Sequence, residues 1–232
     1  MELKIFDLGL IEFEKAWKLQ KEIFQQVKSG SLDFALILCQ HYPVITLGRN
    51  AKKENLLVSF EELKNKGIER FEIERGGDIT YHGPGQLTIY PIFNLAHLKK
   101  DIHWFLHELE QVVVEFLADF GVLSQRKPGF TGVWLGERKI ASIGIAIRHW
   151  ITFHGVSINI KTADLENFKL IRPCGMDIEM VALEQLLGKE IKINNIKNNL
   201  IHKFATRPYR IGRCASLCKE VYHGQSSLAG VR

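Results

Sequence analysis

Residues 130–160 read FTGVWLGERKIASIGIAIRHWITFHGVSINI, three apolar runs parted by two short turns. Phe130–Leu135, Lys139–Ile147 and Ile151–Ile160 are rich in β-branched and aromatic residues. Gly136–Arg138 and the turn near His149–Trp150 separate them by so few residues that consecutive runs must return antiparallel. An antiparallel meander is therefore the expectation. Toward the N-terminus, Asp33–His41, Val44–Leu47 (after Pro43), Phe71–Glu74 and Gln86–Leu95 read as further strands, and Gly76–Gly85 as a loop. Helical spacing of apolar residues marks three stretches. The first is 10–27, through Leu10, Phe13, Trp17, Phe24 and Val27, with Gly30 as its stop. The second is Ser59–Lys66, where Ser59 and Glu62 form a capping box. The third is Asp101–Phe120, with Asp101 as cap and Gly121 as end. Met180–Leu187 and Asn195–Phe204 also read as helical. Strands and helices mix without strict βαβ alternation, so the fold class is α+β with a mixed, largely antiparallel sheet.

A chain of 232 residues suits one large domain and buries enough surface to need no disulfide staples. Residues 1–190 are expected to form the main domain, and 191–232 a C-terminal helix and basic tail of the same domain or an extension of it. The 46% hydrophobic and 25% charged composition excludes disorder, collagen and coiled coil. No apolar run reaches ~18 residues, which argues against a membrane span. Asp7, Glu12 and Glu14 stand where a secretory signal needs an apolar core. Four cysteines are too few and too scattered for a disulfide scaffold, which fits a reducing cytoplasm. Lys and Arg outnumber Asp and Glu by 31 to 26, a net charge of +5. With no dense basic block or nucleic-acid motif, that excess favours acidic protein partners over nucleic acid.

Three segments carry chemistry. Arg75–Pro91, RGGDITYHGPGQLTIYP, surrounds Tyr81 and His82 with four glycines and Pro84. It reads either as a tight turn before a strand or as a loop whose backbone approaches a ligand closely. It matches neither a P-loop nor a dinucleotide fingerprint. In RKIASIGIAI, strict alternation places Lys139 on the face of Ala141, Ile143, Ile145 and Ile147, opposite Ser142 and Gly144. Lys139 is then either a strand-end lysine snorkelling to water or a partly desolvated amine. Cys174 lies between Pro173 and Gly175, in a turn rather than a packed core. It is either an inert loop thiol or a nucleophile whose thiolate a nearby cation, Lys139 or Arg172, would favour. Cys39, within FALILCQH, reads as a small core hydrophobe. Cys214 and Cys218, with His202 and His223, match no common zinc spacing, so no metal is expected.

Together Tyr42–Arg49 (YPVITLGR), Arg75–Ile92, Gly132–Trp134, Lys139–Gly144 (KIASIG), His154–Gly155 with Asn159, and Pro173–Gly175 (PCG) resemble the lipoyl(octanoyl) transferase family, the octanoyl-acyl-carrier-protein–protein N-octanoyltransferases. The resemblance implies a fold like that of biotin ligases and lipoate–protein ligases. It implies Cys174 as nucleophile and Lys139 as the group that lowers its pKa. Substrate contacts then fall on Arg75, Gly76, Gly77, Asp78, Ile79, Thr80, Tyr81 and His82, on Ser142, Ile143 and Gly144, and on Gly155, Val156 and Ser157. Ser157 and Thr131 depart from the usual family residues. The implied reaction moves an octanoyl group from octanoyl-acyl carrier protein to a lysine of a lipoyl domain, with no cofactor. The implied acceptors are the lipoyl domains of 2-oxo acid dehydrogenase complexes or the glycine cleavage H protein. Two rival readings are an ATP-dependent lipoate–protein ligase, which would need no reactive cysteine, and a non-catalytic acyl-protein binding module.

Overall fold

Alternation in the 130–160 stretch yields the meander it predicts. The structure, a computed structural model, describes residues 2–206. In chain order the elements are β1 (Leu3–Ile11), α1 (Phe13–Ser29), β2 (Phe34–His41), β3 (Val44–Leu47), α2 (Phe60–Asn65), β4 (Glu69–Glu72), β5 (Ile79–His82), β6 (Gln86–Phe93), α3 (Ile102–Ala118), β7 (Gln125–Lys127), β8 (Phe130–Leu135), β9 (Arg138–Arg148), β10 (Ile151–Asn159), α4 (Leu183–Leu187) and α5 (Ile193–Thr206), with short 3-10 turns between some of them. His149 and Trp150 join β9 to β10 with φ of 53° and 63°, the left-handed pair that a two-residue hairpin turn requires.

Among the described residues seven strands form one sheet in the order β1-β2-β6-β10-β9-β8-β7, and three form a second in the order β4-β3-β5. In the large sheet β1 and β2 run parallel and the other neighbours antiparallel, so the sheet is mixed and largely antiparallel, as expected. Helices α3 and α5 cover one face, burying Phe105, Leu109, Phe116, Leu200 and Phe204 against Leu36, Leu38 and Ile89. Helix α1 covers part of the other, setting Ile23, Phe24 and Val27 on Ile37, Tyr90 and Phe153. The small sheet continues that second layer with its own cluster around Ile45, Leu63, Ile79 and Phe168. The caps read from sequence are present: Ser59 and Glu62 form the capping box of α2, and the Asp101 carboxylate accepts from Trp104 N–H at the start of α3.

Some expectations are corrected. The helix expected over 10–27 begins at Phe13, because residues 3–11 are a strand. A register shift between Asp7 and Leu10, with Gly9 at φ 61°, breaks the period-two signal there. Within the expected loop 76–85, Ile79–His82 are β5, fully buried and paired with β3. The strand expected over 71–74 starts two residues earlier, at Glu69. The helix expected over 180–187 is shortened to Leu183–Leu187, because Met180 bridges to Lys139 in strand fashion. β7, three residues of exposed polar edge strand, carried no apolar signal. No helix among the described residues is long and apolar enough to cross a membrane.

The α3 core sets the stability. Phe105 is fully buried, whereas Leu123 is 91% exposed. Phe105→Ala should cost about 3–5 kcal/mol through lost burial and the cavity left behind, and Leu123→Ala less than about 0.5 kcal/mol. Urea denaturation at neutral pH checks both.

Candidate active site

Small side chains open a trough in the sheet. β9 and β10 pair Ser142 with Ser157 and Gly144 with Gly155, and β6 brings Thr88 opposite Ser157. Over this trough lies the loop leading into β5. Gly76 N–H donates to Ile145 O at 2.8 Å, which ties the loop to the exposed edge of β9. The tie requires Gly144: a Cβ there would stand 2.9 Å from Arg75 Cδ and 3.0 Å from Gly76 O. A cavity of about 560 Å³ lies between loop and sheet.

Arg75, Gly76, Gly77, Asp78, Ile79, Thr80, His82, Lys139, Ser142, Ile143, Gly144, Gly155, Val156 and Ser157 all line this cavity, together with Pro173 and Met176. Tyr81 does not. Alternation along β5 turns it to the opposite side, where its hydroxyl accepts from Asn167 Nδ2 at 2.9 Å and its ring packs on Phe168. The backbone of Cys174 forms the middle of the 3-10 turn Pro173–Gly175; its side chain lies outside the described residues. Cys214, Cys218 and His223 also lie outside them.

Lys139 corrects the alternation argument. It lines the same cavity as Ser142 and Gly144 rather than the opposite face. The cause is a register irregularity in the β8–β9 pairing, where Val133 faces Ala141 but Trp134 faces Lys139; the extra residue shifts the phase. Lys139 is only 4% exposed. Its ammonium lies 5.0 Å from the centre of the Trp134 ring. Gly132 keeps that space open, since a Cβ there would meet Lys139 Cε at 2.5 Å. The backbone of Lys139 is held on both sides: its N–H donates to Glu179 O at 2.9 Å, and Val181 N–H donates to its carbonyl at 3.0 Å. This pairing lays the segment that follows the Cys174 turn alongside the start of β9.

The polar side chains of the cavity are tightly engaged. Arg75 donates through Nη2 to Thr46 O at 2.7 Å and to Thr46 Oγ1 at 3.0 Å, and through Nη1 to Gly76 O at 3.1 Å. His82 Nδ1 lies 2.6 Å from Gln86 Oε1. Gln86 Nε2 donates to Asn159 Oδ1 at 2.9 Å, and Asn159 Nδ2 to Val181 O at 3.3 Å. This chain of amides runs from the loop to the residue that pairs with Lys139. His41 Nε2 lies 2.6 Å from the Tyr90 hydroxyl. Burial pushes His82 down to about 3, with His41 as a further cause, and burial likewise pushes His41 down to about 4. His154 is also lowered, by burial first. Burial pushes the Cys39 thiol up, which suits a core hydrophobe.

Sequence reasoning did not assign Thr46, Asn55, Gln86, Tyr90 or Trp134 to the site. Each reaches it through tertiary pairing. Tyr90 was within reach of a pattern argument, because it follows Thr88 at period two on β6.

The family of lipoyl protein ligase A/B catalytic domains matches residues 12–205. An octanoyltransferase of Thermoanaerobacter sp. strain X514 is 44% identical over 203 residues, which cover 87% of this chain and 88% of that protein. The chain belongs to the octanoyltransferase family. Solved structures agree on the fold. The bipartite lipoate protein ligase of Thermoplasma acidophilum aligns with a TM-score of 0.69 at 17% identity, covering 89% of this chain and 83% of that one. A biotin protein ligase from Aquifex aeolicus, in complex with biotin and ATP, aligns with a TM-score of 0.53 at 11% identity, covering 88% and 69%. This family member thus has the mixed α+β fold that lipoate–protein and biotin ligases share.

The depressed histidines have a consequence for stability. An imidazole held neutral in the fold binds its proton in the unfolded chain at the ordinary value of 6.5. Its contribution is therefore present above pH 6.5 and lost as pH falls toward 4 and 3. Between pH 6.5 and 5, where carboxylates titrate little, the urea midpoint should decline, and His41→Asn should flatten the decline. NMR should show the His41 and His82 ring signals unmoved between pH 7 and 5. A level midpoint in the parent protein contradicts the assignment.

Proposed function

We propose that this chain transfers an octanoyl group from octanoyl-acyl carrier protein to the lysine of a lipoyl domain, through a thioester on Cys174. The observation that carries the proposal is the cavity in which buried Lys139 faces the glycine loop, with Pro173 and Met176, the neighbours of the Cys174 turn, in its wall. Kinship with octanoyltransferases over most of the chain supports the same reading.

In this mechanism the Cys174 thiolate attacks the thioester carbonyl of the donor. The C–S bond to the carrier breaks, the carrier sulfur leaves as a thiol by taking the proton that Lys139 holds as a cation, and an octanoyl thioester remains on Cys174 while Lys139 is left as the neutral amine. The ε-amine of the acceptor lysine then attacks that carbonyl. The Cys174–acyl bond breaks, an amide forms, and the amine's surplus proton passes to Lys139 or solvent. Lys139 as a cation favours the thiolate and as a neutral amine accepts a proton. The amides of Gly76 and Lys139 are engaged by Ile145 and Glu179. Stabilisation of the oxyanion therefore falls to other backbone N–H groups of the glycine loop or of the stretch up to Gly144. Thioester exchange is nearly neutral and amide formation is downhill, so no nucleotide is consumed. Apolar side chains in the lining, Ile73, Trp134 and Met176, suit an alkyl chain. At about 0.8 kcal/mol per methylene they select chain length only about fourfold per carbon. The acceptors are lipoyl domains of 2-oxo acid dehydrogenase complexes or the glycine cleavage H protein. The reduced thiol the mechanism needs suits the cytoplasm.

Incubation with octanoyl-acyl carrier protein alone should add one octanoyl mass to Cys174, read by intact-protein mass spectrometry and peptide mapping. Cys174→Ala should remain unmodified and transfer nothing. Lys139→Ala should move the alkylation of Cys174 by iodoacetamide to higher pH. Dependence of transfer on ATP and free octanoate would refute the proposal, as would full transfer by Cys174→Ala.

A further inference from the structure

Asp78 stands in the loop that lines the cavity, where the family resemblance implies a substrate contact. Its carboxylate is occupied otherwise. Oδ1 accepts from Ile79 N–H at 2.8 Å and from Lys52 N–H at 3.2 Å. Oδ2 accepts from Asn55 Nδ2. Asn55 is 4% exposed and ends a short 3-10 turn, Lys53–Asn55. From there the chain zips onto the segment entering the Cys174 turn: Asn55 O accepts from Arg172 N–H at 2.8 Å, Leu56 bridges Ile171, and Leu57 N–H donates to Leu170 O at 2.9 Å. On the far side of the turn, a Cβ on Gly175 would lie 3.7 Å from both Oδ1 and Nδ2 of Asn55. Asn55 thus meets the turn at one end with its backbone carbonyl, which holds Arg172, and lies beside Gly175 at the other with its side-chain amide, which the Asp78 carboxylate holds.

We infer that Asp78 and Asn55 form a positioning pair that fixes the Pro173–Gly175 turn, and with it Cys174, against the cavity. This rests on the reading of Cys174 as nucleophile. The turn hangs between two anchors. One is the pairing of Glu179–Val181 with Lys139, set by β9. The other is Asn55, whose amide Asp78 sets. At this second anchor the Asn55 carbonyl and the Leu56 and Leu57 backbone hold the chain entering the turn, and the hydrogen bond between the Asp78 carboxylate and the Asn55 amide fixes the side chain that lies beside Gly175. Misplacement of a reacting atom by about an ångström lowers rates on the order of a hundredfold, so loss of this bond should act on the rate of acylation and on the thiol's ionisation rather than on donor affinity.

The pair allows an exchange test. In Asp78→Ala the Asn55 amide loses its acceptor; Asp78→Asn alone is not used as a single variant, because the Asn55 amide can turn over and accept from the new Nδ2. In Asn55→Asp, two carboxylates oppose each other. In the double exchange, D78N/N55D, the amide at 78 turns its oxygen to Ile79 and Lys52 and donates to the carboxylate at 55, so the bond returns with its polarity reversed. Each protein is assayed for octanoyl transfer to its own thiol at varied donor concentration, and for the pH profile of Cys174 alkylation; circular dichroism confirms folding. Each single variant should acylate at least about tenfold more slowly, with donor KM within about twofold of the parent and the alkylation midpoint at higher pH. The double exchange should recover most of the rate and the parent profile. Two results overturn the inference: single variants that raise donor KM while the alkylation profile stays put, or a double exchange no better than the singles. Should a single variant fail to fold, Asn55→Ala, which leaves Asp78 its two backbone donors, replaces it with the same expectations. Cys174→Ala, run in parallel, isolates the underlying reading: full transfer by that variant refutes the nucleophile, whatever the exchange shows.

Discussion

The close approach of Arg75–Gly77 to β9 governs the rest of the site. It needs a residue without a Cβ at 144, which Gly144 supplies, and a carbonyl at Ile145 that no strand takes, which is left because β8 pairs with β9 only at its start. Once the loop is tied down at 2.8 Å, the gap left over Ser142, Ser157 and Gly155 becomes a half-covered cleft instead of an open sheet face. The same tie buries the Arg75 side chain, and Thr46 on β3 then receives its guanidinium. The small sheet is thereby docked on the large one by a charged group whose donors are met by backbone and hydroxyl oxygens, which is what makes burial of a cation tolerable.

A second constraint follows from the burial of so many imidazoles. His41, His82 and His154 are nearly inaccessible, and burial, with the Arg75 charge as a further cause at His82 and His154, holds their pKa values down. The His41 and His82 rings act as fixed hydrogen-bonding groups. His82 holds Gln86, which holds Asn159, which holds Val181, whose N–H holds Lys139. The lysine of the cavity is positioned by a chain of neutral dipoles that begins in the loop above it, so loop and lysine cannot move independently.

Legibility in the sequence divided along physical lines. The meander β8–β10 was readable because period-two alternation and two-residue turns are local, and so were the caps at Ser59 and Asp101. β1 was obscured where Gly9 and the register shift after Asp7 disturb the period, and Leu10 then fell at helical spacing with Phe13 and Trp17. β5 was obscured because glycines and a proline flank four residues whose partner, β3, lies thirty residues earlier in the chain. The loop and Lys139 stood out by residue type, but the face of Lys139 did not, since a bulge is a property of the pairing between two strands. Asn55 and Gln86 were invisible for the same reason: an amide becomes meaningful only when the groups on either side of it are known.

The polar residues that mark the loop most strongly in sequence are those most occupied by the fold. Asp78 is engaged by Ile79, Lys52 and Asn55, His82 by Gln86, and Tyr81 faces away altogether. What the loop presents to the cavity is then largely backbone and small or aliphatic surface. Such a wall suits an alkyl chain and a neutral thioester better than a charged ligand, because nothing in it must be desolvated when the chain enters. Of the two cations in the lining, the Arg75 guanidinium is engaged by Thr46 and Gly76, and Lys139 stands at the other end, where it meets the segment following the Pro173–Gly175 turn. Under the proposed mechanism, separating a largely apolar slot from the lysine end would let one cavity take the acyl chain first and meet its carbonyl only at the lysine.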